Sequence, residues 1–460
     1  MALPKPIGRQ REVLALPATG HHVVLGTAGS GKTTIAILRA AFLSNPKAHH
    51  AGNTLLLTFN RTLVTYLRHL SDVTLDNVVV ENYHRFARGY LRSRGVNLNG
   101  VIANDDQRHS FIQQAFATNS KNAPHKILEN GVDFVEEEIR WIQENGINDL
   151  KAYTDAARKD RLPDAESCEV IWGVFEFYVE IRTHGGKVFD WHDLATAVSA
   201  HLQGDKSARR YRHIVIDEGQ DFSPEMIRSL ALAVPPDGSV TLFADAAQQI
   251  YGHQISWRSA GLKITEPWRF QENYRNSRQI ARLALAISKM PFFKDVPDIV
   301  EPKEPHADGP LPTLVKCGSA EEEIKFIVDQ AREGSRTKTV AILLRRAAYE
   351  ARIDRRLPRS SVRLDRDLTS WPAQPGISFG TYHASKGLEF DTVILPFCDL
   401  NLLPDPMRVE AYGMNEALSR DGRLFYVGVT RARVGLIMTY SDEPTRLLPK
   451  APELYQNLTL

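Results

Sequence analysis

Residues 26–33 read GTAGSGKT, an unbroken G-x-x-x-x-G-K-[ST] run. HHVVLG before it is apolar enough for a buried strand, and TTIAILRAAFL after it has helical spacing. A glycine-rich turn between a strand and a helix cradles phosphate. Gly26, Gly29 and Gly31, with Thr27, Ala28 and Ser30 between them, let backbone N–H groups face phosphate oxygens at a helix N-terminus. Lys32 supplies a cation, Thr33 a hydroxyl for Mg²⁺, and Thr34 continues the first turn. An incidental glycine turn would not carry both flanks.

Strand and helix signals alternate outward from this point. NTLLLTF and VTLDNVVV read as further strands, which predicts a parallel, doubly wound α/β sheet. RHSFIQQAFATNS, VDFVEEEIRWIQENG and EVIWGVFEFYVEIRTHG then carry helical spacing, an expected helical insertion of roughly 110 residues. Strand texture returns at RHIVIDEGQD and SVTLFAD. It resumes from PTLVKCG through TVAILLR to RVGLIMTY, enough for a second sheet. In IVIDEGQD, Asp217 at the strand end suits Mg²⁺, and Glu218 beside it suits activation of a water. About 185 residues separate this acidic pair from Lys32, so the insertion sits inside the first sheet domain.

Composition excludes several classes. The 460 residues are 43% hydrophobic and 24% charged with net charge +2, as in an ordinary globular protein. No apolar run of 18 residues and no secretory h-region is visible, so no membrane role is expected. Cys168, Cys317 and Cys398 lie far apart and fit neither a zinc site nor a disulfide framework. The expected compartment is the reducing cytoplasm. Basic character is local: residues 336–366 hold ten basic and three acidic side chains, a phosphate-backbone contact or a solvated face.

GTAGSGKTT, IVIDEGQDFSP and FADAAQQIYG together resemble the superfamily 1 helicases of the UvrD/Rep/PcrA type. Gln10 in GRQREVLALP resembles the adenine-reading Q motif. LLLTFNRTLVTYL is similar to motif Ia, VENYHRFA to motif Ib and QENYRNSRQI to motif IV. GTYHASKGLEFDTVILP is similar to motif V, and RLFYVGVTRAR to motif VI. The resemblance spans Gln10 to about Tyr440.

This resemblance implies two RecA-like P-loop domains with ATP and Mg²⁺ between them. The expected division is 1–88 and 206–266 for the first RecA-like domain, 89–205 for its helical insertion, and 267–460 for the second. The family's other large insertion is expected to be absent or reduced to a connector near 357–376, since only about 30 residues separate Arg346 from Ile377. By resemblance Arg275 and Arg431 stabilise phosphoryl charge, and Gln248 reaches the γ-phosphate with Asp245 and Gln220 in the same relay. Tyr274 stacks on adenine; Gly387 and Glu389 lie near sugar and phosphate, with Ser385 and Lys386 beside them and no role assigned. Phe59, Asn60, Tyr83, His84, Thr381 and His383 match the nucleic-acid groove. His253 stands where the family often has a base-stacking tryptophan, and Trp257 is the candidate substitute.

The implied activity is an ATP-dependent 3′–5′ motor on single-stranded DNA. A nucleotide-gated module that activates a partner such as a nuclease is the alternative, and RNA is a further candidate substrate.

Overall fold

The computed structural model describes residues 6, 8–27, 29–58, 77–156, 162, 164–245, 257–293, 305, 307–364 and 374–460. The first sheet comprises β1 (Gly20–Gly26), β2 (Thr54–Thr58), β3 (Val78–Glu81), β4 (His213–Asp217), β5 (Ser239–Ala244) and β6 (Trp268–Phe270). Its order is β3-β2-β4-β5-β1-β6, with every neighbouring pair parallel. Alternation along each strand feeds two cores. Val23, Leu25, Leu55, Leu57, Ile214 and Ile216 face one layer, while Val24, Leu56, Val215 and Phe243 face the other. Both faces are covered by helices, which is why these strands read as continuous apolar runs.

The second sheet comprises β7 (Thr313–Lys316), β8 (Thr339–Leu344), β9 (Val362–Arg363), β10 (Gly376–Thr381), β11 (Phe390–Leu395), β12 (Ala432–Tyr440) and β13 (Gln456–Thr459). The order β13-β7-β12-β11-β8-β10-β9 is again parallel throughout. Ala341, Leu343, Val393 and Leu395 pack on one face; Val340, Ile342, Leu344 and Ile394 pack on the other. Two parallel-sheet α/β domains are therefore present, as the strand–helix alternation requires.

The domain edges differ from the expected numbers in two places. Phe270 of β6 pairs with Gly26 of β1, so 268–270 belong to the first sheet and not to a second unit beginning at 267. Leu91 at the start of the expected helical segment, and Val198 and Leu202 at its end, pack on the first sheet's core. The segment's own core is narrower and runs from Ile112 to Tyr178. Apolar spacing identifies a helix but not which neighbour it covers.

Within that segment, the helix Asp105–Asn122 starts at an Asn104–Gln107 capping box, and Ala165–His184 at an Asp164 cap. Buried Asp190 accepts from Arg108, Arg182, Gln143 and Tyr178, tying four stretches of chain together. The helix Val132–Asn145 also reaches the second domain. Arg420 on the long helix Pro406–Thr430 forms a fork with both carboxylate oxygens of Glu137, and its guanidinium lies 4.6 Å over the Tyr412 ring. Gly413, with φ 77°, kinks that long helix near its start. All three cysteines are buried and free. Among the described residues, no helix is long and apolar enough to cross a membrane.

Candidate active site

The C-terminal ends of β1, β4 and β5 lie side by side, because Leu25 is in register with Ala244 and β4 runs beside β5. Gly26, Asp217 and Asp245 therefore converge at one sheet edge, the usual ligand position in this architecture. Gly29 and Gly31 take φ of +79° and +81°. A Cβ at Gly29 would lie 2.3 Å from Asn273 Oδ1 and 2.7 Å from Arg275 Cβ, so glycine is required by space as well as conformation. The loop is held from both sides: Gln10 Nε2 donates to Ser30 O at 3.1 Å, and Tyr274 N donates to Gly29 O at 2.9 Å. Ser30 Oγ closes on Thr27 O at 2.9 Å.

The helix Lys32–Ser44 opens with Lys32, Thr33 and Thr34 and has no acidic residue in its first turn, which suits an anion at its N-terminus. Lys32 Nζ donates to the carbonyls of Gly26 and Thr27 at 2.8 and 2.7 Å and lies 3.6 Å from Asp245. Burial lowers its pKa against the pull of Asp245 and Glu218.

Asp217 is buried, and neither carboxylate oxygen makes a hydrogen bond of ordinary geometry among the described residues. Burial and the adjacent Glu218 push its pKa up to about 7, against the Thr33 hydroxyl and Lys32. A buried carboxylate without close hydrogen bonds, beside a threonine hydroxyl, is a donor set for a hard divalent cation. Glu218 is one of few non-glycine residues in the left-handed region, with φ 53°. Burial opposes its charge, but Lys386, Lys32 and Arg431 outweigh that and hold its pKa below the usual value. Gln220 Nε2 donates to Glu218 Oε2 at 2.5 Å, while Gln220 Oε1 accepts from Asp245 N at 2.9 Å. Gln220 thus joins Glu218 to Asp245.

The facing wall comes from the second domain. Gly29, Gly31, Lys32, Thr33, Glu218, Arg275 and Arg431 line one cleft. Arg275 Nε pairs with Glu389 at 3.1 Å. Arg431 is fully buried: its Nε donates to Val427 O and a terminal nitrogen to Leu388 O, both at 3.2 Å. Burial, with Arg275 nearby, lowers its pKa to about 10, so it stays charged. Gly387, with φ +79°, turns the chain just ahead of Leu388 and Glu389, which bond Arg431 and Arg275. Tyr274 is 49% exposed, and its backbone holds the phosphate loop from the side opposite Gln10.

Two residues of this wall lie within the QENYRNSRQI stretch but have no individual role assigned from the sequence. Asn273 Oδ1 accepts from the backbone of Arg275 and Asn276, both at 3.1 Å, and its amide donates to Asn276. Asn276 in turn donates to the carbonyls of Thr430 and Ala432. The N-Y-R-N spacing, an Asx turn ahead of a helix, was the available signal.

The proposed nucleic-acid residues fare unevenly. Tyr83 does not face a groove: its ring is 1% exposed against Phe86 and Phe222, and its hydroxyl bonds Ser229 at 2.7 Å. Trp257 is likewise a core residue of the first domain, which corrects its role as a stacking substitute. His84 is half-buried edge-on to Trp191. Thr381 ends β10, its hydroxyl accepting from Ala384 N at 3.2 Å. His383 is two residues on; burial, with Arg345, Arg408 and Lys386 around it, lowers its pKa to about 3 and keeps it neutral. Ala28, Phe59, Asn60, Gln248 and His253 lie outside the described residues. Of the basic stretch, Arg345 pairs with Asp421, Arg356 with Glu321 and Arg363 with Glu350, so much of its charge is compensated.

Residues 8–270 match the family model of the UvrD/REP helicase N-terminal domain, and residues 359–443 that of the UvrD-like helicase C-terminal domain. A probable DNA helicase from Mycoplasma pneumoniae is 22% identical over 451 residues, covering 91% of this chain and 80% of its own. The ATP-dependent DNA helicase UvrD2 of Mycobacterium tuberculosis is 24% identical over 557 aligned positions, covering 94% of this chain and 78% of its own. A putative ATP-dependent DNA helicase, YjcD of Bacillus subtilis, is 23% identical over 374 residues, covering 75% and 46%.

Proposed function

The chain belongs to the UvrD/REP family of ATP-hydrolysing DNA helicases, and from that premise we propose that it is a 3′–5′ motor on single-stranded DNA whose ATP is split between its two sheets. The observation that carries this reading is the shared cleft. Lys32, Thr33 and Glu218 come from one domain and Arg275 and Arg431 from the other. A site assembled from two bodies is complete only when they are together, so turnover is tied to domain closure.

Each side chain has a definable task. The loop N–H groups and Lys32 take the phosphates, with Lys32 leaving the carbonyls of Gly26 and Thr27 to do so. Gln10 and Tyr274 flank the same loop and suit the adenine. Glu218, kept anionic by the surrounding cations, accepts a proton from the attacking water. Arg275 and Arg431 offset the charge that accumulates on the transferring phosphoryl group. Thr33 and Asp217 would hold Mg²⁺, which when bound neutralises phosphate charge. Thr381 and neutral His383, at the end of β10, suit hydrogen bonding to a strand's backbone without reading its sequence.

The test is ATP turnover by the full chain with DNA and RNA oligonucleotides, single- and double-stranded, together with displacement of a labelled strand. Stimulation by single-stranded DNA and movement toward its 5′ end are expected. Turnover indifferent to any strand would overturn the motor. Turnover that waits for an added protein would favour the nucleotide-gated module acting through a partner such as a nuclease.

A further inference from the structure

The loop from Thr381 to Leu388 is a compact turn. Ser385 N donates to Thr381 O at 3.1 Å, Lys386 N to His383 O at 3.3 Å and Leu388 N to Ser385 O at 3.0 Å. Ser385 Oγ adds a bond to Tyr382 O at 2.8 Å. One end of the turn is the strand-facing tip of β10. From the other end Lys386 crosses to the first domain, where its ammonium makes a short ion pair with Asp221. Both partners are buried, with side chains 4% and 3% exposed. Asp221 sits in the same tight turn as Glu218, its N–H donating to Glu218 O at 2.9 Å.

A buried ion pair is an expensive way to hold two domains together. Desolvation offsets most of the attraction, and an apolar contact would serve stability as well. What the pair offers is discrimination: made, it satisfies both charges; broken, it leaves both to be solvated or stranded. It therefore distinguishes a closed cleft from an open one.

We propose that Lys386 and Asp221 form a closure latch, in which Lys386 is a positioning residue that couples the strand-facing end of β10 to the turn carrying Glu218. The latch rests on the motor reading above and adds the contact through which a bound strand acts on turnover. A strand that shifts Thr381 or His383 shifts Lys386 with them, because the intervening turn is closed by its own hydrogen bonds. Lys386 then draws on Asp221 and so sets the turn that aims Glu218.

The experiment is a double-mutant cycle in the full chain with Lys386→Met, Asp221→Asn and the double variant. ATP turnover is measured with and without a single-stranded DNA oligonucleotide, and folding is followed by thermal melting. Each single substitution is expected to lower strand-stimulated turnover about tenfold, with the KM for ATP little changed, and the double variant to lose no more than either single. Losses that multiply, or a stimulation ratio left intact, overturn the latch. If wild type is stimulated by the strand and the losses multiply, the latch falls and the motor stands. If wild type shows no stimulation, the motor falls and the cycle is read on basal turnover, where multiplying losses again overturn the latch and a shared loss upholds it. Should a single variant melt early, the reversed pair Lys386→Asp with Asp221→Lys decides. Turnover above that of either reversal alone supports the latch, and none overturns it.

Discussion

Asn276 holds the backbone on either side of Arg431, its amide donating to Thr430 O at 3.2 Å and Ala432 O at 2.5 Å. The arginine is thereby fixed by a residue on a different loop, more than 150 positions away in the chain. Replacing Asn276 with Ala removes both of these buried bonds, at a cost of about 1–3 kcal/mol. The expected result is a lower thermal midpoint together with reduced ATP turnover. A variant that melts early but turns over normally would show that Arg431 keeps its position unaided.

Lys32→Ala should lower ATP turnover by roughly 10²–10³-fold, since it removes the one cation within the phosphate loop. Steady-state hydrolysis of purified, folded variant is the measurement. Strand-stimulated turnover at the wild-type rate would remove the cleft from the mechanism.

The two arginines separate chemistry from folding. Arg275 is only partly buried and pairs with Glu389, so Arg275→Ala should spare the melting temperature while turnover falls by roughly 10³-fold or more. Arg431→Ala should lose as much turnover and stability besides, because its guanidinium bonds carbonyls inside the domain. Arg431→Lys keeps the charge but not the fork, and single-turnover hydrolysis should stay depressed. Equal melting curves for both alanine variants would contradict this division.

Acid should weaken the fold through His383. Its pKa is about 3 in the folded protein against 6.5 for a free histidine, so unfolding takes up a proton between those values. The stability it contributes is complete above pH 6.5 and declines as pH falls below that. His383→Gln should melt with a shallower loss between pH 7 and 5 than wild type. His21, His22 and His213 are shifted in the same direction and keep their share in both proteins. Parallel melting-versus-pH curves would show that His383 is protonated in the native state.

Legibility in the sequence followed the range of the cause. The strands around Lys32 and Asp217 could be read because burial on both faces writes itself into consecutive residues, as in Val23–Leu25 and Ile214–Ile216. The phosphate loop could be read because its glycines answer to local geometry. Tyr83 and Trp257 were misjudged because the same aromatic composition serves a groove or a core, and only packing against Phe222 or the first sheet decides. Asn276, Lys386 and Asp221 act between chain segments far apart, and no local pattern marks such a partner. The left-handed backbone at Glu218 is likewise unannounced, because the glycine of that turn stands one residue later, at Gly219.

The Arg420–Glu137 fork gives the helical segment a mechanical stake in chemistry it never touches. Arg420 lies eleven residues before Arg431, with the Gly413 kink behind it, a helical rod of about 16 Å. Tilting the helix Val132–Asn145 therefore pushes one end of a lever whose other end is the buried arginine of the cleft. A load borne by the peripheral helices would then be felt as a change in hydrolysis rate, which makes that segment a strain gauge for the engine.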